Sequence, residues 1–215
     1  MVYDIDMARR QPALVTGEIY HVFNRGVEKR KIFLGDWDYK HFLESSTHYQ
    51  IFDKKLSRKY PLNPKNTSHQ KLVEILSYSL MPNHFHLLLK QTIDNGISTF
   101  MGRVQNSFTK YFNIKNDRVG HLFQGAFKAV RIENDEQLVH VSRYIHLNPL
   151  VSKMTGNIKN YRWSSYPIYI GKGNNEVIST KDILDLFPGG DYERFVLDQA
   201  DYARSLEQLK HITLD

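Results

Sequence analysis

The chain has no cysteine, which excludes disulfides and thiolate-held zinc. No apolar stretch approaches the roughly 20 residues that would span a bilayer. The opening segment, MVYDIDMARRQPALV, lacks the apolar core of a secretory signal. A soluble, cytoplasmic protein with no membrane partner is the expectation. Internal repeats and low-complexity segments are also missing, so no solenoid is expected.

What is present suits a globular protein. Of 215 residues, 41% are hydrophobic and 13% aromatic, enough to bury a full core and to argue against disorder. The net charge is +6, and its placement says more than its size. Residues 51–150 hold fourteen Lys/Arg against seven Asp/Glu, whereas residues 1–50 are balanced and 151–215 are slightly acidic. A basic middle suits a phosphate backbone, and equally an ordinary solvated surface.

The element pattern is mixed. GEIYHVFNRGV (17–27) is β-branched and aromatic and reads as a strand. Residues 35–52 read as a helix that Asp36 can cap. The polar, proline-containing stretch 53–70 reads as a loop. Residues 72–90 read as a β-hairpin turning at Met81-Pro82-Asn83. In 96–113, Ile97, Phe100, Met101, Val104, Phe108 and Tyr111 or Phe112 form one helical stripe. Residues 120–133 read as a strand region broken at Gly125. Residues 134–149 read as a helix with Asn134 as cap, Gln137 completing a capping box, and Pro149 ending it. The order describes an α+β fold: a ferredoxin-like antiparallel sheet with helices mainly on one face. The expected division is a catalytic-type domain over 1–170 and a helical C-terminal extension over 171–215, packed on it.

Two motifs carry chemistry. In MPNHFHLLLK, His84 and His86 share one face of a strand, while Phe85, Leu87 and Leu89 share the other. Two same-face imidazoles suit a divalent metal, although such a pair also occurs as packing histidines. In HVSRYIHLNP, Tyr144 and Asn148 lie one helical turn apart, with His140 a turn earlier, opposite a stripe of Leu138, Val141 and Ile145. Asn148 can supply a carbonyl oxygen as a third ligand and Tyr144 a phenol beside it. The plainer alternative is a tyrosine at the helix edge and an asparagine at its end.

Taken together, MPNHFHLLL, SFTKYFN, GHLFQGAFK, RYIHLNPL and WSSY make the chain resemble the single-tyrosine transposases of the His–hydrophobic–His nuclease superfamily, most of all the REP-associated branch. The matching residues run from about 17 to 170. The resemblance implies His84, His86 and Asn148 as ligands of Mg²⁺ or Mn²⁺, with Tyr144, on a C-terminal helix, as nucleophile. It implies single-stranded, hairpin-forming DNA as substrate, cleaved and joined through a 5′-phosphotyrosine in transposition or hairpin processing. Relatives include dimers and monomers, and either is compatible with the sequence.

A tyrosine with a pKa of about 10 is phenolate in roughly one molecule in a thousand at neutral pH, so the site must assist. The metal, Arg143, Lys128 or His140 are the candidates. Tyr111 is the competing nucleophile, behind Tyr144 because no amide follows it by one turn. His146 points elsewhere and reads as structural or DNA-facing. DNA contacts are expected from Arg25, Arg103, Lys110, Lys128, Arg131 and Arg143, with bases stacking on aromatics. Many members of the family carry arginine where this chain has Ala126, which points to weaker binding or a substitute role for Lys128. Three competing readings remain: a hairpin-DNA-binding protein without chemistry, a metal-dependent phosphoesterase using water, and an RNA-binding sheet.

Overall fold

Alternating residues in IYHVFNR form strand β1 (Ile19–Arg25), which buries Tyr20, Val22 and Asn24 on one face. The chain then forms helix α1 (Asp36–Tyr49), the hairpin β2 (Val73–Met81) and β3 (His84–Gln91), helix α2 (Gly96–Lys115) and strand β4 (Lys128–Arg131). Helix α3 (Asp135–Val151) follows, and then three short helices, α4 (Tyr166–Tyr169), α5 (Lys181–Leu184) and α6 (Tyr192–Leu197). The computed structural model describes residues 13–51, 70–173 and 177–199. The expected loop at 53–70 therefore lies almost wholly outside the described residues. No helix among the described residues is long and apolar enough to cross a membrane.

The sheet order is β2-β3-β1-β4, with every neighbouring pair antiparallel. This is the ferredoxin-like arrangement of a βαββαβ chain. Helices α1 and α2 pack on one face. There Phe42 of α1 meets Phe85 of β3 at 5.0 Å and Phe108 of α2 at 5.3 Å. The stripe Ile97, Phe100, Met101, Val104, Phe108 and Phe112 is fully buried in this layer. Helix α3 crosses the opposite face, against β2 and β3, and also packs against α5 and α6.

The free edge of β2 is covered rather than left open. Leu80 N donates to Trp163 O (2.9 Å), Ser165 N to Tyr78 O (3.0 Å) and Ser179 N to Ile75 O (2.9 Å). Pairing of this kind removes a template for strand addition.

Three local expectations change. Helix α1 is capped by Asp38, not Asp36: the buried Asp38 carboxylate accepts from Leu34 N (2.7 Å) and Gly35 N (3.1 Å). It also takes the Tyr111 hydroxyl (3.0 Å) and the Lys115 ammonium (2.5 Å), which no single helix could have revealed. Residues 120–127 form irregular chain instead of strand, because Gly120 and Gly125 sit at φ of +90° and +107°, outside β geometry. Pro149 lies inside α3 and does not end it. Its carbonyl still accepts from Met154 N at 2.8 Å, and burial of the ring offsets the amide hydrogen it lacks. At the other end of α3, Asn134 Oδ1 accepts from Gln137 N (2.8 Å) as the capping motif requires. The reciprocal bond goes to Glu133 N (2.7 Å), one residue before the cap.

His146 fastens α3 to what surrounds it. Its ring is fully buried, with Nδ1 2.7 Å from the Tyr192 hydroxyl of α6 and Nε2 2.8 Å from Ser165 Oγ. Burial pulls its pKa down to about 3. In the unfolded chain the value returns to about 6.5, so between these limits only the unfolded state holds the proton. The contribution of His146 to stability is complete above pH 6.5 and is lost as the pH falls towards 3. His21, His84 and His86, all lowered by burial, act with the same sign. We expect urea unfolding in EDTA to show a fall from pH 7.5 to pH 4.5 of about 3 kcal/mol from His146 alone. His146→Gln should flatten that slope; an equal slope in the variant would contradict the assignment.

Candidate functional site

Strand β3 begins at His84, so its alternation starts with an imidazole on the α3 face. Cross-strand pairing defines the neighbours: His84 stands opposite Arg25 and Met81, and His86 opposite Phe23 and Ser79. The rings of His84 and His86 lie 5.0 Å apart at 88°. Phe85, Leu87 and Leu89 go to the other face and are buried there, as the strand period requires.

Helix α3 brings its own residues down onto this pair. Asn148 is buried, with Nδ2 3.3 Å from His86 Nε2 and Oδ1 3.4 Å from Ser152 Oγ. Asn148 also lies close enough to His84 to influence its ring. One turn earlier, Tyr144 is 51% exposed, and its ring meets His86 edge-on at 5.5 Å. The sequence thus placed His84, His86, Tyr144 and Asn148 on elements that do meet.

A fifth residue belongs to the cluster. His21 of β1 lies diagonally across from His86, with Nε2 2.9 Å from His86 Nδ1 and rings stacked at 5.1 Å. It also meets the Tyr144 ring edge-on at 5.9 Å. The sequence reading passed over it. The available signal was the alternation of β1, which sets His21 and Phe23 on the face away from Tyr20 and Val22.

Electrostatics favour neutral imidazoles. Burial holds His86 well below its ordinary pKa, and the neighbouring His21 and His84 add to the effect. Burial also lowers His84, with Arg25 adding to the effect and Asn148 opposing it. Burial takes His21 down to about 4. Neutral imidazoles present lone pairs, the form a metal requires. Among the described residues, no three His, Asp or Glu side chains group to hold a metal.

The comparisons bear on this arrangement. A family model described as "Transposase IS200 like" matches residues 35–148, more than half of the chain and the span that includes His84, His86, Tyr144 and Asn148. The chain belongs to the IS200-like transposases. The transposase is accordingly a DNA-binding enzyme, an endonuclease and strand transferase. Its fold is similar to that of a solved REP-associated tyrosine transposase bound to a REP hairpin. That likeness has a TM-score of 0.58 and 16% identity, over 82% of this chain and 93% of that one. At this identity it speaks for the fold. A second solved structure, tRNA(His) guanylyltransferase from Saccharomyces cerevisiae, aligns over 88% of this chain and 80% of that one. Its TM-score of 0.38 at 12% identity is too slight to bear on the fold. No curated protein matches the chain.

Of the six cations expected on DNA, the transposase brings two to the histidine face. Arg25 stands opposite His84, its guanidinium held by Gln124. Lys128 stands opposite Phe23, itself opposite His86. The other four lie elsewhere. Lys110 is exposed on α2, in the layer across the sheet, and Arg103 is buried there between Phe100 and Val104. Arg131 stands opposite Tyr20, on the α1–α2 side, and pairs with Glu18 at 2.9 Å. Arg143 lies 4.1 Å over the Phe195 ring, with Nη1 donating to Phe195 O (3.2 Å) and Nη2 2.6 Å from His140 Nδ1. That contact also occupies His140, while His86 and His21 both meet the Tyr144 ring. Ala126 is exposed beside Gly125, in the irregular segment leading into β4.

Proposed function

We propose that this transposase cleaves and joins single-stranded DNA through a 5′-phosphotyrosine at Tyr144, with Mn²⁺ or Mg²⁺ held by His84, His86 and Asn148. The observation that carries the reading is convergence on His86. The Tyr144 ring stands 5.5 Å away on one side and the Asn148 amide 3.3 Å away on another.

The donor set fits a divalent cation. Two imidazoles and an amide are all neutral, so the charge of the cation is left to attract phosphate. Ligation by Asn148 needs its amide turned to present Oδ1 in place of Nδ2. Two nitrogen donors suit Mn²⁺ better than Mg²⁺, which prefers an oxygen shell. Bound there, the cation would polarise a non-bridging oxygen of the scissile phosphate and hold that group in place.

The remaining work falls to the chain. Arg25 and Lys128, flanking the histidines, are placed to neutralise neighbouring phosphates. Tyr144 Oη bonds to phosphorus as the bond from phosphorus to the 3′ oxygen breaks. The phenolic proton is released and the departing 3′ oxygen gains one. A phosphodiester replaces a phosphodiester, so an incoming 3′-OH can reverse the step and join a strand. The solved relative is described with a REP hairpin bound; a hairpin with a single-stranded flank is the substrate proposed for this chain.

The test is incubation of the full chain with such DNA, or with its fully duplex counterpart, in Mn²⁺, Mg²⁺ or EDTA, followed by a denaturing gel. A metal-dependent protein–DNA adduct formed only on the single-stranded substrate is the expected result. Binding without adduct would favour a protein retired from chemistry, the reading that Ala126 suggests, and Ala126→Arg would then be the variant to make. Cleavage that survives Tyr144→Phe would indicate a phosphoesterase using water.

A further inference from the structure

We propose that His21 is a positioning residue that holds His86 in one tautomer, with hydrogen on Nδ1 and the Nε2 lone pair directed into the site. The inference deepens the reading above and rests on its assignment of His86 as a ligand.

Two imidazole nitrogens 2.9 Å apart need one hydrogen between them. If His21 Nε2 donated it, His86 would carry its own hydrogen on Nε2, facing the Asn148 amide nitrogen at 3.3 Å. Two donors would then meet in a buried place, which is costly. If His86 Nδ1 donates to His21 Nε2, these three contacts are matched. Ser152 Oγ donates to Asn148 Oδ1, Asn148 Nδ2 donates to His86 Nε2, and His86 Nδ1 donates to His21. In this arrangement the Ser152 hydroxyl, 3.4 Å away, serves as donor to the far side of the amide.

His84 has a matching device. Its Nδ1 lies 2.7 Å from Asn83 Oδ1, and the Asn83 amide is oriented by donation from Nδ2 to Lys29 O at 3.3 Å. A carbonyl oxygen only accepts, so His84 also carries its hydrogen on Nδ1, and its Nε2 holds a lone pair. Both histidines are thereby set with the lone pair on the same nitrogen, each by a neighbour outside the proposed ligand set. Outer partners of this type fix ring orientation and tautomer, and their loss lowers metal affinity by roughly 10–100-fold. His21 further touches the Tyr144 ring, so one residue braces a ligand and the nucleophile together.

The test reads the metal-free chain first. Long-range ¹H–¹⁵N correlation on histidine-labelled protein should show His86 with hydrogen on Nδ1. Mn²⁺ binding by electron paramagnetic resonance then compares wild type, His21→Phe, His21→Gln and His86→Ala. Phe cannot accept the bond, and His21→Phe should mix the His86 tautomers and weaken Mn²⁺ binding roughly 10–100-fold. Gln presents an amide oxygen near the position of Nε2 and should stay within a few-fold of wild type. Hydrogen found on His86 Nε2 in the wild type would overturn the proposal. So would His21→Phe binding Mn²⁺ like wild type while His86→Ala does not. So would equal losses in His21→Phe and His21→Gln. Unchanged binding in His86→Ala would instead overturn the ligand set, and the role of His21 with it.

Discussion

Tyr144→Phe should retain DNA binding and lose covalent attachment and strand joining, with a fall in cleavage on the order of 10⁴-fold or more. The substitution removes one oxygen and keeps the ring whose edge meets His86 and His21. Tyr144 is half exposed at the surface of α3, so the fold should tolerate the change. Tyr111→Phe is the matched control. Its hydroxyl donates to Asp38 Oδ1 at 3.0 Å on the far side of the sheet, and burial raises its pKa further from the phenolate range. The Tyr111 variant should cleave at wild-type rate and lose only a little stability. Comparable losses in both variants would remove the assignment of Tyr144.

His86→Ala should reduce metal-dependent cleavage by about 10³-fold or more, since several kcal/mol of transition-state stabilisation depend on the cation it is proposed to hold. His86 is the hub of the site: His21 lies on its Nδ1 side, Asn148 on its Nε2 side and the Tyr144 ring at its edge. Circular dichroism and a urea midpoint would separate misfolding from lost chemistry. Partial recovery at high Mn²⁺ is expected, because His84 and Asn148 remain. Full activity in His86→Ala would contradict the ligand assignment whatever the outcome at Tyr144.

The parts of this site that depend on local periodicity were legible in the sequence. His84 and His86 are two apart on a strand, and Tyr144 and Asn148 four apart on a helix; both spacings fix a shared face without tertiary knowledge. What depends on pairing was not. His21 and His86 are 65 residues apart, and only the register of β1 against β3 brings them into contact. Arg131 shows the same limit on β4. Its charge was visible, but its face follows from pairing with β1, which sets it opposite Tyr20 and leaves Lys128 on the histidine side. Arg143 was read as a DNA contact because nothing nearby in sequence announces Phe195, which takes its guanidinium. Arg103 could have been set aside from sequence, since it lies one turn from Phe100 on a stripe already recognised as apolar. Pro149 failed as a stop signal because its burial within α3 outweighs one missing hydrogen bond.

The most direct measurement is peptide mapping of the trapped adduct. Single-stranded hairpin DNA is incubated with the full chain and Mn²⁺, the covalent product is digested with protease and nuclease, and mass spectrometry locates the nucleotide-bearing residue. A 5′-nucleotide on Tyr144 is the result predicted here. A nucleotide on any other tyrosine, or cleaved DNA with no modified peptide, would contradict the account.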